Sequence, residues 1–332
     1  MADNGIAKVQ HYVPQFLLRN FGNGKKSQVN VFDKQTDRSF STNVRNVAGE
    51  SRFYDFELDG ETYTLEPGLS QLEGDAKELL QRLLDEDCLM VLTAQDRAKL
   101  AIFFSIQLTR TRAYRDRCQE LPKVLEQKVR AMARDGDDLE KVKHYFQVPN
   151  ENETTIQMAS AMMRAPKDYA IHFAGKDWLL LKTDRKRPFV IGDNPLALQN
   201  MIDMEPLGNL GLAVKGIEIY FPLSPTRALA MWCPSLKKMC QQALGGTWYL
   251  PRFTRKMFAK YNKYTSGLEE VLVALETGNP LLYKHENVTN FNSLQIAHAE
   301  RYVFSCIDDF SLIHEMLAHH LELRTGPRIR SN

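Results

Sequence analysis

Apolar and polar positions along this chain follow two periods, and the switches between them predict a helical middle flanked by strands. Tyr12, Val13, Phe16, Leu17 and Phe21 recur at helical spacing, with Pro14 near the first turn and Gly22 just beyond, which predicts a short helix over residues 12–21. Gln28 to Asp33 alternates as a strand, Asp33 to Arg38 turns, and Ser39 to Val44 returns. Arg52 to Tyr63 reads as extended around an Asp59-Gly60 hairpin turn. Between Glu66 and Met90, Leu69, Leu72, Ala76, Leu79, Leu80 and Leu83 fall on one helical stripe, with Glu66 as cap and Pro67 in the first position. Thr93-x-x-Asp96 opens a second helix that reaches Glu120. Charged helical stretches follow at Lys123 to Arg134 and Asp138 to Phe146. After a polar loop from Pro149 to Thr154, a helix from Thr155 to Phe173 breaks near Pro166.

Past residue 176 short apolar runs take over. Asp177 to Thr183 and Pro188 to Gly192 are joined by Asp184-Arg185-Lys186-Arg187, which predicts a hairpin. Gly216 to Phe221 and Arg227 to Trp232 are further strands; Asn292 is placed to cap a helix through Ala299, and Tyr302 to Cys306 closes as a strand. The expected architecture is α+β, a central helical block with small antiparallel sheets and hairpins, largely one domain. That domain covers residues 1–325, helix-rich at 64–173 and β-rich at 177–306, and a loose basic tail occupies 326–332.

Composition narrows the class. Of the 332 residues, 43% are hydrophobic and 25% charged, which excludes a disordered or collagen-like chain. The net charge of +2 leaves any surface for nucleic acid to local clustering. There is no run of 18 apolar residues and no apolar leader, and the five cysteines lack metal-type spacing. A reduced, cytoplasmic protein without a membrane partner is expected.

Several short motifs fall in a recognisable order: His11-Tyr12-Val13-Pro14-Gln15-Phe16 with Leu18, Arg19, Asn20 and Phe21; Ser70-x-x-Glu73; Gln107-x-x-Arg110; Gly192-Asp193-Asn194-Pro195; Phe221-Pro222-Leu223-Ser224-Pro225; and Asn290-x-Asn292. In these the chain resembles the bacterial domain of unknown function numbered 4238, over residues 10–306. The family pattern has Ser or Thr before Asp-Asn-Pro, and Gly192 here loses that hydroxyl. The resemblance implies no reaction, but its members look like accessory or defence-island genes, which implies work near nucleic acid or phage defence.

The polar residues of these motifs carry the candidate chemistry. His11, Gln15 and Arg19 are four apart and share one helical face, opposite the aromatic one. Histidine there suits acid/base work or metal ligation, though the same stripe also suits plain solvent exposure. Glu66 and Glu73 are seven apart and project from one side of their helix, with Ser70 between. Glu73 sits at the edge of the apolar stripe and needs a partner, Lys77 being the local one. Gln107 and Arg110 fall on the apolar face set by Leu100, Phe103, Phe104 and Tyr114. A buried arginine requires an acid, for which Glu73 and Asp193 are candidates, or else clamps phosphate. Asp193 and Asn194 end a strand before Pro195, as site residues or as turn formers. His314 stands five and six residues from His319 and His320, not the four a zinc-protease helix needs.

Two functions fit this pattern. One is a nuclease-like enzyme acting on phosphodiesters, with His11, Glu66, Glu73 and Asp193 catalytic. Gln15, Arg19, Gln107, Arg110 and Asn194 would then hold nucleic acid or another phosphate-containing ligand, and a divalent cation (Mg²⁺ or Mn²⁺) would sit on Glu73 and Asp193. The other is a non-catalytic binding or sensing protein, in which the same residues form a buried structural network.

Overall fold

The computed structural model describes residues 8–132, 146–202, 210–245 and 263–328. Alternating segments near the start make two hairpin-like pairs and part of a sheet. β1 (Val9–His11) pairs antiparallel with β4 (Gly49–Ser51), and β5 (Asp55–Leu58) with β6 (Glu61–Thr64) through the expected Asp59-Gly60 turn. β2 (Gln28–Asp33) and β3 (Arg38–Asn43) join an antiparallel four-stranded sheet ordered β3-β2-β13-β8, where β8 is Ile191–Gly192 and β13 is Tyr302–Ser305. A five-stranded sheet is ordered β12-β7-β11-β10-β9. Its members are β7 (Asp177–Lys182), β9 (Ala197–Gln199), β10 (Glu218–Ser224), β11 (Arg227–Trp232) and the two-residue parallel strand β12 (Leu281–Leu282).

The helices of the first half are α1 (Gln15–Asn20), α2 (Glu66–Glu86), α3 (Ala94–Thr109), α4 (Arg112–Met132), α5 (Glu151–Asp168) and α6 (Ala170–Ala174). The second half adds α7 (Pro234–Leu244), α8 (Lys263–Thr277), α9 (His285–His298) and α10 (Ser311–His319). The capping box of α3 forms as its sequence requires: Thr93 Oγ1 accepts the Asp96 N–H at 3.2 Å, and Asp96 Oδ2 accepts the Thr93 N–H at 3.0 Å. One apolar core joins the two halves. Phe103 and Phe104 of α3 meet Phe221 of β10, and Phe104 also packs on Trp178 of β7 and Phe173 of α6. The α+β class with small, mainly antiparallel sheets is therefore what the chain adopts.

Some boundaries differ from the sequence reading, each for a local reason. The second long helix does not run to Glu120 but breaks at Arg110-Thr111. There the Thr109 hydroxyl turns back to the Ile106 carbonyl at 3.1 Å, and the Thr111 hydroxyl accepts the Tyr114 N–H at 3.3 Å. Its successor passes through Pro122, and α5 passes through Pro166, each giving up one backbone bond. Asp177–Gly192 is not a hairpin. β7 already has β11 on one side and β12 on the other, so residues 188–192 cross to the other sheet, where β8 pairs with β13. Asn292 lies inside α9 rather than at its start, and clamps the crossing chain: it accepts the Val190 N–H at 3.0 Å and donates to the Pro188 carbonyl at 3.0 Å. The β-rich half also contains α7, α8 and α9, which the sequence reading does not assign in full. The expected helix at 138–146 lies, but for its last residue, outside the described residues. Of the expected loose tail, Arg328 is held by ion pairs to Glu300 and, at 3.0 Å, to Glu120, while 329–332 lie outside the described residues.

Candidate functional site

His11 is the last residue of β1, not the first of a helix, and its ring is packed against β4. A Cβ on Gly49 would lie 2.9 Å from His11 Cδ2, so the close approach needs glycine there. Behind the histidine lies a buried layer centred on Arg110, which is 1% exposed. Arg110 Nη2 donates to Glu73 Oε1 at 2.7 Å and to the His11 carbonyl at 2.6 Å, and Nε donates to the Tyr54 hydroxyl at 3.2 Å. The Tyr54 hydroxyl in turn donates toward the Arg110 carbonyl at 3.1 Å. Burial opposes the charge of Arg110, but Tyr54 and Glu73 beside it raise its pKa above the ordinary arginine value. Gln107 belongs to the same layer, donating to the Tyr12 carbonyl at 2.9 Å. Glu73 thus takes Arg110, from the next helix, and forms no ion pair with the expected Lys77.

In front of this layer is an open pocket of about 330 Å³ between α1 and α2. From α1 and the strand before it come His11, Gln15, Phe16 and Arg19; from α2 come Glu66, Ser70, Glu73, Gly74 and Lys77. The α2 residues recur every three or four positions, so one helical face supplies that wall. A directed chain of hydrogen bonds crosses the other wall. Because the Arg45 carbonyl only accepts, His11 Nε2 (3.2 Å away) carries the ring proton, which leaves Nδ1 as an acceptor. Gln15 Nε2 donates to that Nδ1 at 3.3 Å, and Arg19 Nη2 donates to Gln15 Oε1 at 2.7 Å. Burial lowers the His11 pKa, against the opposing pull of the Arg45 carbonyl and Glu73. The ring is neutral at pH 7.

Glu66 completes the set. Its Oε2 is buried without a hydrogen-bond partner among the described residues, and burial raises its pKa, with Arg110 pulling down and Glu73 pushing up. Arg19 and Lys77 are exposed at the mouth, and neither makes an ion pair among the described residues. The pocket therefore holds a neutral imidazole, a carboxylate locked by arginine, a second carboxyl biased toward its protonated form, and two free cations.

Asp193 and Asn194 do not line this pocket. Asp193 instead binds the α9–β13 turn. Its carboxylate accepts the N–H groups of Glu300 at 2.6 Å, Arg301 at 2.9 Å and Tyr302 at 3.0 Å. Burial pushes its carboxyl up to about 6, while those donors and Lys34 favour the anion. Asn194 donates to the His298 carbonyl at 3.2 Å. This is turn work, and it explains Gly192: a Cβ there would lie 2.9 Å from the Gln295 carbonyl oxygen and 3.0 Å from Ala299 Cβ. The expected cation pair Glu73 and Asp193 is not assembled, since both Asp193 oxygens are taken by backbone donors. Among the described residues no three His, Cys, Asp or Glu side chains converge as a ligand set. Gln107 and Arg110 stand behind the pocket wall rather than in it. Ser70 and Lys77, which the sequence reading does not count as site residues, do line it; their four- and seven-residue spacing from Glu66 and Ser70 is the signal that marks them.

The family model described as a protein of unknown function, DUF4238, matches residues 9–309. No match was found among curated proteins or among solved structures.

Proposed function

We propose, for a chain that belongs to the DUF4238 family of proteins of unknown function, that the His11–Glu66 pocket hydrolyses a phosphodiester in the manner of a nuclease. The observation that carries this reading is the buried, unpartnered Oε2 of Glu66 in the same pocket as the Nδ1 acceptor of His11. Burial biases the Glu66 carboxyl toward holding its proton, which suits a proton donor, and the unprotonated Nδ1 of a neutral imidazole suits a base. Arg19 and Lys77 neutralise the phosphate at the mouth. The Gln15 amide gives way to a water whose oxygen bonds to phosphorus while its proton passes to His11 Nδ1. The ester P–O bond breaks, and the departing oxygen takes the Glu66 proton. Arg110 positions both walls without touching the substrate, because it binds Glu73 and the His11 carbonyl together.

The test is turnover of single- and double-stranded DNA, RNA and bis(p-nitrophenyl) phosphate, with and without Mg²⁺ or Mn²⁺. Glu66→Gln is expected to lower turnover about 100-fold or more, the usual span of general acid catalysis, with no fall in Tm. Equal turnover by the variant and the parent overturns the reading. A second reading, a pocket that binds phosphate without chemistry, is favoured by one observation: both His11 ring nitrogens are already engaged. It predicts phosphate-dependent binding with no turnover of any of these substrates.

A further inference from the structure

The face of α2 that walls the pocket continues past Lys77. One turn further along the same face of α2, Gln81 and Leu84 line a second cavity of about 620 Å³, and Asn20, next to Arg19, lines it from α1. From Glu66 to Leu84 the helix rises through 18 steps, a wall about 27 Å long at 1.5 Å per residue. The second cavity is closed by the β10–β11 turn with Arg227, and by Arg185 and Ile307. Ile307 also lines a third cavity, of about 280 Å³, whose rim carries Lys186 and Arg187. The first two cavities thus lie on neighbouring turns of α2 and the last two share Ile307, with Arg19 and Lys77 at the first and the Arg185-Lys186-Arg187 loop between the other two.

That loop is built to present charge. Asp184 Oδ1 accepts the Lys186 N–H at 2.9 Å and the Arg187 N–H at 3.1 Å, and Thr183 Oγ1 donates to the Arg187 carbonyl at 2.9 Å. The three basic side chains are exposed, and none makes an ion pair among the described residues. Asp184 is engaged with its own turn, Asp309 with the Ser311 N–H at 3.0 Å and Asp87 with Arg227 at 2.5 Å, while Asp308, beside Ile307, is exposed and makes no ion pair among the described residues. In a chain of net charge +2, a row of unpaired cations along linked cavities is a local feature, not a consequence of bulk charge.

We infer that these cavities form one track for an extended single-stranded nucleic acid, whose phosphates meet the Arg185–Arg187 loop while one phosphodiester lies in the His11–Glu66 pocket. The inference rests on the hydrolytic reading for that last position only. A flexible strand follows separate concavities, whereas a duplex, stiff over about 150 base pairs, bridges their rims. Recognition rests on backbone charge, so sequence preference is weak and salt dependence steep.

The experiment measures fluorescence anisotropy of a labelled 20-nucleotide single strand on the full chain across a salt series, beside turnover of bis(p-nitrophenyl) phosphate. The variant is Arg185→Ala, Lys186→Ala, Arg187→Ala, on an exposed turn away from the pocket. Losing three phosphate contacts should reduce the log–log salt slope by about 2, at roughly 0.7 per phosphate, and weaken binding at least tenfold. Tm and small-diester turnover should not change, and the charge-keeping Arg185→Lys, Arg187→Lys variant should retain the parent slope. The track is overturned if the parent does not bind the strand, or if the triple variant binds with the parent slope. It is equally overturned if a duplex binds as tightly, or if polyglutamate of equal charge competes as well. Strand binding without turnover by the parent sinks the hydrolytic reading alone, and turnover of the small diester without strand binding sinks the track alone.

Discussion

Arg110 is the residue on which both walls of the site depend. An arginine this deeply buried is tolerated only because Tyr54, Glu73 and the His11 carbonyl surround its guanidinium. Arg110→Ala leaves Glu73 without its partner and the His11 carbonyl without its donor, and is expected to cost about 3–5 kcal/mol in urea denaturation. Arg110→Lys should recover little, because an ammonium cannot span the Nε and Nη2 directions at once. A loss under about 1 kcal/mol for the alanine variant would show the layer to be dispensable. Glu66 carries a prediction of opposite sign. Its carboxyl titrates above 4.5 when folded, so between 4.5 and that raised value the native state holds more protons than the unfolded chain. Stability contributed by the protonated form is present at low pH and is lost as pH rises through that window. Glu66→Gln removes this loss: its Tm advantage over the parent should be absent at pH 4 and grow toward pH 7. A variant less stable than the parent at pH 7 would contradict the desolvation of Glu66. At this scale the i,i+4 spacing made His11, Gln15 and Arg19 legible as one face, and burial logic made Arg110 legible as a group needing an acid. The separation of Asp193 from them was not legible, because its three donors lie 107 to 109 residues away.

At the scale of elements, long amphipathic stripes were readable and their ends were not. α2 takes Glu66 as its first residue rather than its cap, with Leu65 before it, and stops at Glu86, where Asp87 takes a left-handed conformation with φ 49°. The break between α3 and α4 depends on two threonine hydroxyls competing with the backbone, while the break expected near Pro166 falls three residues later, at Tyr169 between α5 and α6. α9 gave little signal, since buried Gln295 and the Asn292 clamp interrupt any apolar stripe. What stops α9 is Lys34, from far away in sequence. Its fully buried ammonium donates to the Ile296 carbonyl at 2.7 Å and to the Ala299 carbonyl at 2.6 Å, an arrangement favoured at a helix C-terminus. Burial lowers its pKa to about 8, with Asp193 and Glu300 pulling it up, so it is mostly charged at pH 7. Lys34→Met would strand two buried carbonyls and should destabilise by about 2 kcal/mol or more, with faster amide exchange concentrated in the last turn of α9. Unchanged exchange there would mean that the cap is not what holds this end.

Across the whole molecule, the core shared by α3, β7 and β10 joins the helix-rich half to the β-rich half, and Ile307 borders both the cavity at the β10–β11 turn and the one rimmed by the crossover loop. The Asp184–Arg187 turn was readable as a turn, yet it connects two different sheets, and that crossing is what sets its three cations beside Ile307 and Arg227. No helix among the described residues is long and apolar enough to cross a membrane.

By itself, the sequence determined the α+β class, the polar face of residues 11–19, the carboxylate face of α2, and the need of Arg110 for an acidic partner. These follow from short-range periodicity and from the cost of burying charge, both of which act within a few residues. The tertiary structure alone decided that the acid is Glu73 and not Asp193, that Glu66 is the carboxyl left without a partner, and that the Arg185–Arg187 loop borders two further cavities. Those outcomes depend on which elements pack together over separations of 37 to more than 100 residues. No local period encodes such pairings, because each is settled only when the shared core closes.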